Sequence, residues 1–260
     1  MVLLEMFDAG QHLGETMAVV CSIIDDQIVG ASVGDSVLDV CVPGCDADRV
    51  EDEALLEAWR AGQRQAGQTL IVRHYAAVFR FFYGKVPLAA GEDLAQQTFE
   101  VLCSRPEGFR REGSFRAYVL GIARFLLLNW TRRNRHFEAV EDNLLPASDT
   151  SPSGVLADAQ QLRLVATALR SLPIDDQILI ELKDWENLSQ AELAALFEVP
   201  QPTVARRLQR ARARLRAAVE AMSAEPGRRE ASLRNLESCL QSIRAQIDAR
   251  WGTVRAPGSV

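Results

Sequence analysis

Leu188-Ser-Gln-Ala-Glu-Leu-Ala-Ala-Leu-Phe-Glu-Val-Pro200 predicts a short helix followed by a tight turn, and it is the strongest local signal in the chain. Ser189 and Glu192 have the spacing of a capping box, in which the serine hydroxyl accepts a free amide and the glutamate reaches back to the serine amide. Leu193, Ala194 and Phe197 are expected to face a core. Glu198-Val-Pro200 is expected to form the turn.

A longer helix is predicted from Thr203 to Met222. Pro202 suits its first turn, where the missing N–H is not needed. The apolar residues form one stripe: Val204, Leu208, Ala211, Leu215 and Ala218. The remaining surface carries six arginines: Arg206, Arg207, Arg210, Arg212, Arg214 and Arg216. No acidic residue lies between Val199 and Val219, so the mutual repulsion of these cations favours a polyanionic partner. A solvated arginine face on a bundle helix stays the alternative, since arginine is a good helix former.

This combination of a short helix, a tight turn and a long basic helix predicts a helix-turn-helix that docks in the major groove of DNA. Side chains of the first turn would face base edges, while later arginines would meet phosphates. The DNA-binding residues expected on this helix are Gln201, Thr203, Ala205, Arg206, Arg207 and Arg210.

The whole-chain net charge of −6 conceals a strong asymmetry. Residues 1–58 hold 13 acidic residues and one arginine, which gives −12, whereas residues 59–260 hold 22 acidic and 28 basic residues, which gives +6. Binding to phosphates depends on local basic surface and not on the sum over the chain. The basic portion is therefore suited to a nucleic-acid partner.

The composition excludes several other classes of protein. No apolar run reaches the roughly 18 residues that a membrane span needs, and the N-terminus lacks the basic region of a secretory signal, so we expect no membrane insertion and a cytoplasmic location. The five cysteines are scattered and odd in number, and the three histidines are isolated. Neither a disulfide framework nor a zinc site is predicted. We expect no catalytic residue, no metal and no cofactor.

Apolar spacing predicts helices along most of the remaining chain from Glu51 onward. They are expected at Glu51–Ala61, Thr69–Lys85, Glu92–Ser104, Ser114 to about Arg135, Ala159–Ser171, Ile174–Lys183 and, in the tail, Glu230–Trp251. The helix Glu92–Ser104 is expected to have its core positions at Leu94, Thr98, Val101 and Leu102. Its other face carries Asp93, Gln96, Gln97 and Glu100. Residues 1–48 are instead predicted to form two or three short strands.

A basic segment with interspersed aromatic residues lies between Arg105 and Arg135. It contains eight arginines and two acidic residues, and Phe109, Phe115 and Tyr118 lie among them. Basic charge can follow a single strand of nucleic acid, and aromatic or apolar pockets can accept an extruded base. For Phe115 and Tyr118, packing in a core and lining such a pocket both remain open.

Three segments of the chain resemble extracytoplasmic-function sigma factors of the sigma-70 family. Leu169-Arg-Ser-Leu-Pro173 and the helix-turn-helix up to Arg212 resemble the fourth conserved region, which reads the promoter's −35 element. Glu92-Asp-Leu-Ala-Gln-Gln-Thr-Phe-Glu-Val-Leu102 resembles the polymerase-binding helix of the second region. Phe115-Arg-Ala-Tyr-Val-Leu-Gly-Ile-Ala-Arg124, with Leu126-Leu-Leu-Asn-Trp-Thr-Arg-Arg133 after it, resembles the −10 segment. Both regions occur in the order that the family has, over about residues 52–222. A resemblance to both regions together is more specific than a resemblance to either one alone.

The resemblance implies a function, partners and site residues. It implies a sigma factor that binds core RNA polymerase and promoter DNA, with an anti-sigma factor as a further candidate partner. The implied polymerase-binding residues, facing the clamp helices of the largest subunit, are Asp93, Gln96, Gln97 and Glu100. The implied −10 residues are Phe109, Arg110, Arg111, Ser114, Phe115, Tyr118, Asn129, Arg132 and Arg133. The family often has asparagine directly after Ile-Ala-Arg, where this chain has Phe125.

The fold that follows is all-α, with two small helical domains joined by a flexible linker. We expect an acidic, β-like leader at 1–50, sigma region 2 at 51–137, a linker at 138–158, sigma region 4 at 159–222 and a helical tail at 223–260. The apolar stripe of the tail leaves three roles open: packing on the DNA-binding domain, binding an anti-sigma protein, or self-association.

Two rival functions come from other features of the chain. A stand-alone helix-turn-helix regulator would need no polymerase contact. Residues 17–36 resemble a strand pair with a Gly-Asp-Ser turn of metal-dependent serine/threonine phosphatases, with Asp35 in a metal-ligand-like position. One carboxylate cannot build a two-metal site, so a phosphatase-related fusion protein is the weaker rival. We favour instead a fusion remnant, a misplaced start codon, or an acidic appendage that shields the basic face as the explanation of the leader.

Overall fold

The computed structural model describes residues 46–104, 108–109, 113–134, 153–223 and 226–251, and these residues contain ten helices and no strand. The helices are α1 Asp46–Arg60, α2 Arg64–Phe82, α3 Leu88–Ser104, α4 Phe115–Arg133, α5 Ser153–Arg170, α6 Ile174–Asp184, α7 Gln190–Phe197, α8 Gln201–Met222, α9 Pro226–Arg234 and α10 Leu236–Trp251. The predicted all-α fold is confirmed. The β-like leader lies outside the described residues, apart from its last few positions, which belong to α1.

Several helix boundaries differ from the sequence prediction. α1, α2 and α3 each begin four or five residues before the predicted start, and α2 ends at Phe82 instead of Lys85. The tail forms two helices, because the chain turns at Asn235 between α9 and α10. Apolar spacing alone did not reveal this break, since Asn235 falls on the polar side of the stripe. In addition, α5 begins at Ser153, so the last part of the stretch predicted as a linker is helical.

The described residues divide into two compact units. The first contains residues 46–79, 92–104, 108–109 and 113–134, and the second contains residues 80–91, 153–223 and 226–251.

An aromatic core fills the first unit. Tyr75 of α2 stacks against Phe99 of α3 with ring centroids 5.8 Å apart, and against Phe79 at 6.4 Å. From α4, the buried residues are Phe115, Val119, Leu120, Ala123 and Leu127. These residues recur at three- and four-residue spacing, so each helix turns one apolar stripe inward.

A buried carboxylate ties α1 to α2 in the first unit. Asp52 accepts a hydrogen bond from Arg73 Nη1 at 2.8 Å, and its other oxygen lies 2.7 Å from His74 Nε2. Burial by itself raises the pKa of the Asp52 carboxyl, but the hydrogen bond and charge of His74, together with Arg73, outweigh burial and leave this pKa below its ordinary value. The carboxylate is therefore held ionised between the two helices.

The tail belongs to the core of the second unit. Both tail helices pack on α5, and α10 also packs on α6. Trp185 Nε1 donates to the carbonyl oxygen of Leu240 at 2.9 Å. The buried residues of α10 are Leu236, Cys239, Leu240, Ile243 and Ile247. Of the three roles left open for the apolar stripe, packing on the helix-turn-helix unit is the one observed.

Replacing Gly67 of α2 by alanine should destabilise the first unit. A Cβ at this position would lie 2.7 Å from two ring atoms of Trp59, and Trp59 is itself buried. Overpacking costs roughly 1–3 kcal/mol of folding free energy. Putting alanine in place of glycine in a helix gains about 1 kcal/mol, so the cost exceeds the gain over most of that range. Thermal unfolding followed by circular dichroism should show a lower Tm.

Gly121 of α4 provides the matched control. A Cβ there would meet nothing within 4 Å, so Gly121→Ala should raise the Tm through helix propensity alone. An equal rise in Tm for Gly67→Ala would contradict the packing against Trp59.

Candidate nucleic-acid interface

The turn between α7 and α8 has the geometry that the sequence predicts. Ser189 Oγ accepts from the Glu192 amide at 3.2 Å, and the Ser189 amide donates to the Glu192 carboxylate at 2.8 Å, so the capping box is complete. α7 ends where Glu198 adopts a left-handed conformation, with φ 53° and ψ 45°. The Val199 amide then bonds back to the Ala194 carbonyl at 3.0 Å. This sharp turn allows α8 to begin at Gln201.

One face of α8 is buried in the core of the second unit. Its buried residues are Val204, Leu208, Ala211, Leu215 and Val219. The prediction had Ala218 in place of Val219, but Ala218 is only partly buried. α8 packs against α5, α6, α7 and α9, and the face opposite its buried stripe remains exposed.

The sequence-predicted DNA-binding residues of α8 lie on this open face and its two flanks. Gln201, Arg206 and Arg210 are exposed, and Thr203, Ala205 and Arg207 are partly exposed. Arg206 and Arg210 lie one turn apart, so their guanidinium groups can reach the same strand of a duplex. Within the described part of the chain, neither arginine has an ion-pair partner.

Two other arginines of α8 are neutralised by acidic residues of α6. Arg212 donates to Asp184 at 2.5 Å, and Arg214 pairs with Asp176. Burial raises the pKa of Asp184, although the guanidinium of Arg212 opposes this rise. No acidic residue lies between Val199 and Val219 in the sequence, but in the folded chain α6 supplies acidic partners for two of the six arginines.

Gln209 is an exposed residue of α8 that the sequence analysis did not single out. It lies one turn after Ala205 and beside Arg206 and Arg210 on the open face. The signal was present, because Gln209 falls opposite the buried stripe in the 3.6-residue period.

In the first unit, α4 presents the basic segment that was predicted to meet DNA. Ser114 caps the helix, and its hydroxyl accepts from the Ala117 amide at 3.2 Å. Asn129 is partly exposed, and Arg132 and Arg133 are exposed. Arg110 and Arg111 lie outside the described residues.

The aromatic residues near the start of α4 form one cluster. Phe109, Phe115 and Tyr118 lie with ring centroids 5.5–6.5 Å apart. Phe115 is 2% exposed and Phe109 is 4% exposed, whereas Tyr118 is only partly buried. Phe115 therefore packs in the core, which is one of the two roles left open for it, and Tyr118 lies at the edge of the cluster.

The polar face of α3 is open in the first unit. Asp93 and Gln97 are exposed, and Gln96 donates to Glu100 across one helical turn at 2.8 Å. Val101, which was predicted to be a core residue, is instead 40% exposed beside this face. The core positions of α3 are taken by Ala95 and Phe99, which continue the stripe through Leu94, Thr98 and Leu102.

Neither a metal site nor a membrane-spanning helix is found in the parts of the chain that the structure describes. No group of three His, Cys, Asp or Glu residues there could hold a metal ion. No described helix is both long enough and apolar enough to cross a bilayer. Asp35, the residue in a phosphatase-like context, lies outside these parts.

Comparisons with known families find similarity in both units. Residues 70–137 match the family model described as Sigma-70 region 2, and residues 162–215 match the model described as Sigma-70, region 4. The two matches lie in the order that the sequence resemblance implies.

The chain is also similar to curated proteins and solved structures. The ECF RNA polymerase sigma-E factors of Escherichia coli (strain K12) and Salmonella typhimurium (strain LT2) are 25% identical over 177 residues, which is 64% of this chain and 93% of theirs. The structure of CnrH in complex with the cytosolic domain of CnrY has a TM-score of 0.48 at 24% identity, and covers 68% of this chain and 100% of that one. The sigma factor RpoE of Bartonella quintana, in complex with the anti-sigma factor NepR, has a TM-score of 0.46 at 22% identity, and covers 60% of this chain and 95% of that one.

Proposed function

Because the chain belongs to the sigma-70 family, as a sigma factor of the extracytoplasmic-function type, we propose that its two helical units divide promoter recognition between them. The protein binds core RNA polymerase and directs promoter recognition and transcription initiation. The observation that carries this function is the presence of both sigma regions, in order, in one chain. A stand-alone helix-turn-helix regulator would need the second match only, so that alternative is not favoured.

The second unit, in this proposal, reads the −35 duplex through α8. Gln201, Thr203, Ala205 and the neighbouring Gln209 would meet base edges in the major groove. Arg206, Arg207 and Arg210 would hold phosphates, because their charges are not neutralised by α6 as those of Arg212 and Arg214 are.

The first unit, in this proposal, binds the −10 element through α4 and the segment before it. Ser114, Tyr118, Asn129, Arg132 and Arg133 would contact DNA, together with Arg110 and Arg111. Phe109 and Phe115 would support these contacts from the core, since both rings are buried. Phosphate contacts of this kind release counterions, so binding should weaken steeply with salt.

Reversing one charge on α3 should weaken the complex with core polymerase. Asp93 is exposed and lies on the same face as Gln96, Gln97 and Glu100, which we propose as the polymerase-binding surface. Asp93→Lys places a like charge against any basic partner surface, so we expect affinity for core enzyme to fall roughly tenfold. Titration of labelled protein with core enzyme would measure this fall.

Glu237→Lys provides the matched control for this experiment. Glu237 is an exposed acid of α10, remote in sequence from the α3 face. Its reversal should leave core affinity unchanged. Equal losses for the two variants would mean that the effect is one of net charge only, and would count against the α3 surface.

The function as a whole is tested by run-off transcription from candidate promoters with purified core enzyme. Addition of this protein should produce transcripts that core enzyme alone does not start. The absence of any complex with core enzyme at low ionic strength would overturn the proposal. Phosphate release from a generic phosphoester in the presence of manganese would instead support the phosphatase-related rival.

Sigma factors are not enzymes in the usual sense, and we propose that this chain carries out no covalent chemistry and acts in the cytoplasm with polymerase. An anti-sigma protein stays a proposed partner. The apolar stripe of the tail is not proposed as its binding site, because that stripe is buried against α5 and α6.

A further inference from the structure

Phe125 of α4 is the most exposed of the large apolar side chains among the described residues. Its exposed fraction is 65%, compared with 42% for Met222 and 40% for Val101. A single exposed phenylalanine is ordinary on a protein surface, so its neighbourhood decides what it signifies.

The Phe125 ring has no side chain beneath it at position 121, on the preceding helical turn. Side chains on a helix lean toward the preceding turn, which here contains Gly121. A Cβ placed on Gly121 would meet nothing within 4 Å, so the Phe125 ring is not folded down onto that turn. The surface beside Phe125 at Gly121 is therefore not covered by another side chain within 4 Å of that point.

The charge around this opening suits a nucleic acid. α4 contains no acidic residue from Phe115 to Arg133. Asn129 and Arg132 lie one and two turns beyond Phe125 on the same face, at the spacing of helical neighbours. Among the described residues, Arg132 has no hydrogen-bond or ion-pair partner, and Phe125 contacts no other aromatic ring.

We propose that Phe125 stacks on one unstacked base of the single-stranded −10 region, with Gly121 providing the space and Arg132 a neighbouring phosphate contact. This inference rests on the proposed function and assigns a further residue to the same site. Because an aromatic face stacks on any base, Phe125 would hold the melted strand without selecting among bases. This role differs from that of an asparagine, which reads a base through hydrogen bonds.

The test uses holoenzyme bound to a fork DNA whose non-template strand is single-stranded across the −10 region. Each single-stranded base is removed in turn by an abasic substitution. Wild-type holoenzyme should lose roughly tenfold in affinity at one position, and Phe125→Ala should lose roughly tenfold on the intact strand. The two losses should not add at that position, because each removes one half of the same stacked pair. Additive losses at every position would overturn the inference.

Control variants distinguish base stacking from a general apolar contact and from a polymerase contact. Phe125→Tyr should retain binding, whereas Phe125→Leu, which keeps apolar area without an aromatic face, should lose it. Met222→Ala removes another exposed apolar side chain and should change nothing. A loss of core-enzyme affinity in Phe125→Ala would make Phe125 a polymerase contact and would overturn the inference while leaving the sigma function intact. Failure of wild-type protein to bind core enzyme would overturn both.

Discussion

Replacing Arg206 and Arg210 together by alanine should lower affinity for −35 duplex DNA by roughly 10²–10³-fold. Each guanidinium is exposed on the open face of α8 and is not neutralised by an acidic residue of α6. A hydrogen bond to a charged group contributes about 1.5–3 kcal/mol, and two such bonds near the lower end of that range, about 3–4 kcal/mol together, account for this loss. The slope of log affinity against log salt should become shallower by about 1.8, since each phosphate contact contributes about 0.9. Titrations at several salt concentrations measure both quantities.

Arg214→Ala is the control for this double variant. Arg214 lies on the same helix and has the same charge, but it pairs with Asp176 of α6. Its loss should leave the salt slope nearly unchanged, and an exposed ion pair adds at most about 1 kcal/mol to stability. An equal change of slope for Arg214→Ala would mean that the ion pairs to α6 do not select which arginines reach DNA.

Lys85→Met should destabilise the second unit by about 3–5 kcal/mol, because it leaves a buried carboxylate without its cation. Lys85 Nζ pairs with Glu181 and also donates to the Phe81 carbonyl at 2.6 Å. Glu181 accepts a further bond from Gln177 at 2.9 Å. Burial lowers the pKa of Lys85 and raises the pKa of Glu181, while the partner's charge opposes each shift. Chemical denaturation followed by tryptophan fluorescence would measure the loss.

The double variant Lys85→Met with Glu181→Leu distinguishes a stranded charge from a loss of packing. Removing both members of a buried ion pair is often neutral or stabilising, so the double variant should recover much of the stability that Lys85→Met loses. A double variant less stable than Lys85→Met would show that packing, and not the uncompensated charge, dominates at this position.

The helix-turn-helix could be predicted from residues that lie close together in the sequence. The capping box of Ser189 and Glu192 and the turn at Glu198 involve residues within a few positions of each other, so the sequence pattern and the hydrogen bonds coincide. The apolar stripe of α8 was predicted correctly at four of its five buried positions, because a helix of this length has a clear period.

Predictions from neighbouring residues failed where the contact partner of a residue lies far away in the sequence. Nothing near Arg214 indicates that Asp176, 38 residues earlier, removes its charge from the surface. Val101 was assigned to the core on spacing alone, but the core of α3 is centred on Ala95 and Phe99, which rotates Val101 outward.

The all-α class and the position of the helix-turn-helix could be predicted from the sequence, since they depend on periodicity and on contacts between near neighbours. The order of the two sigma regions followed from the motifs that resemble the family. Only the tertiary structure decided which arginines keep a free charge, that the tail's apolar stripe is buried in the second unit, and that Phe125 has open space beside it. Those outcomes depend on which helices pack together, and residues distant in sequence give no local signal of that packing.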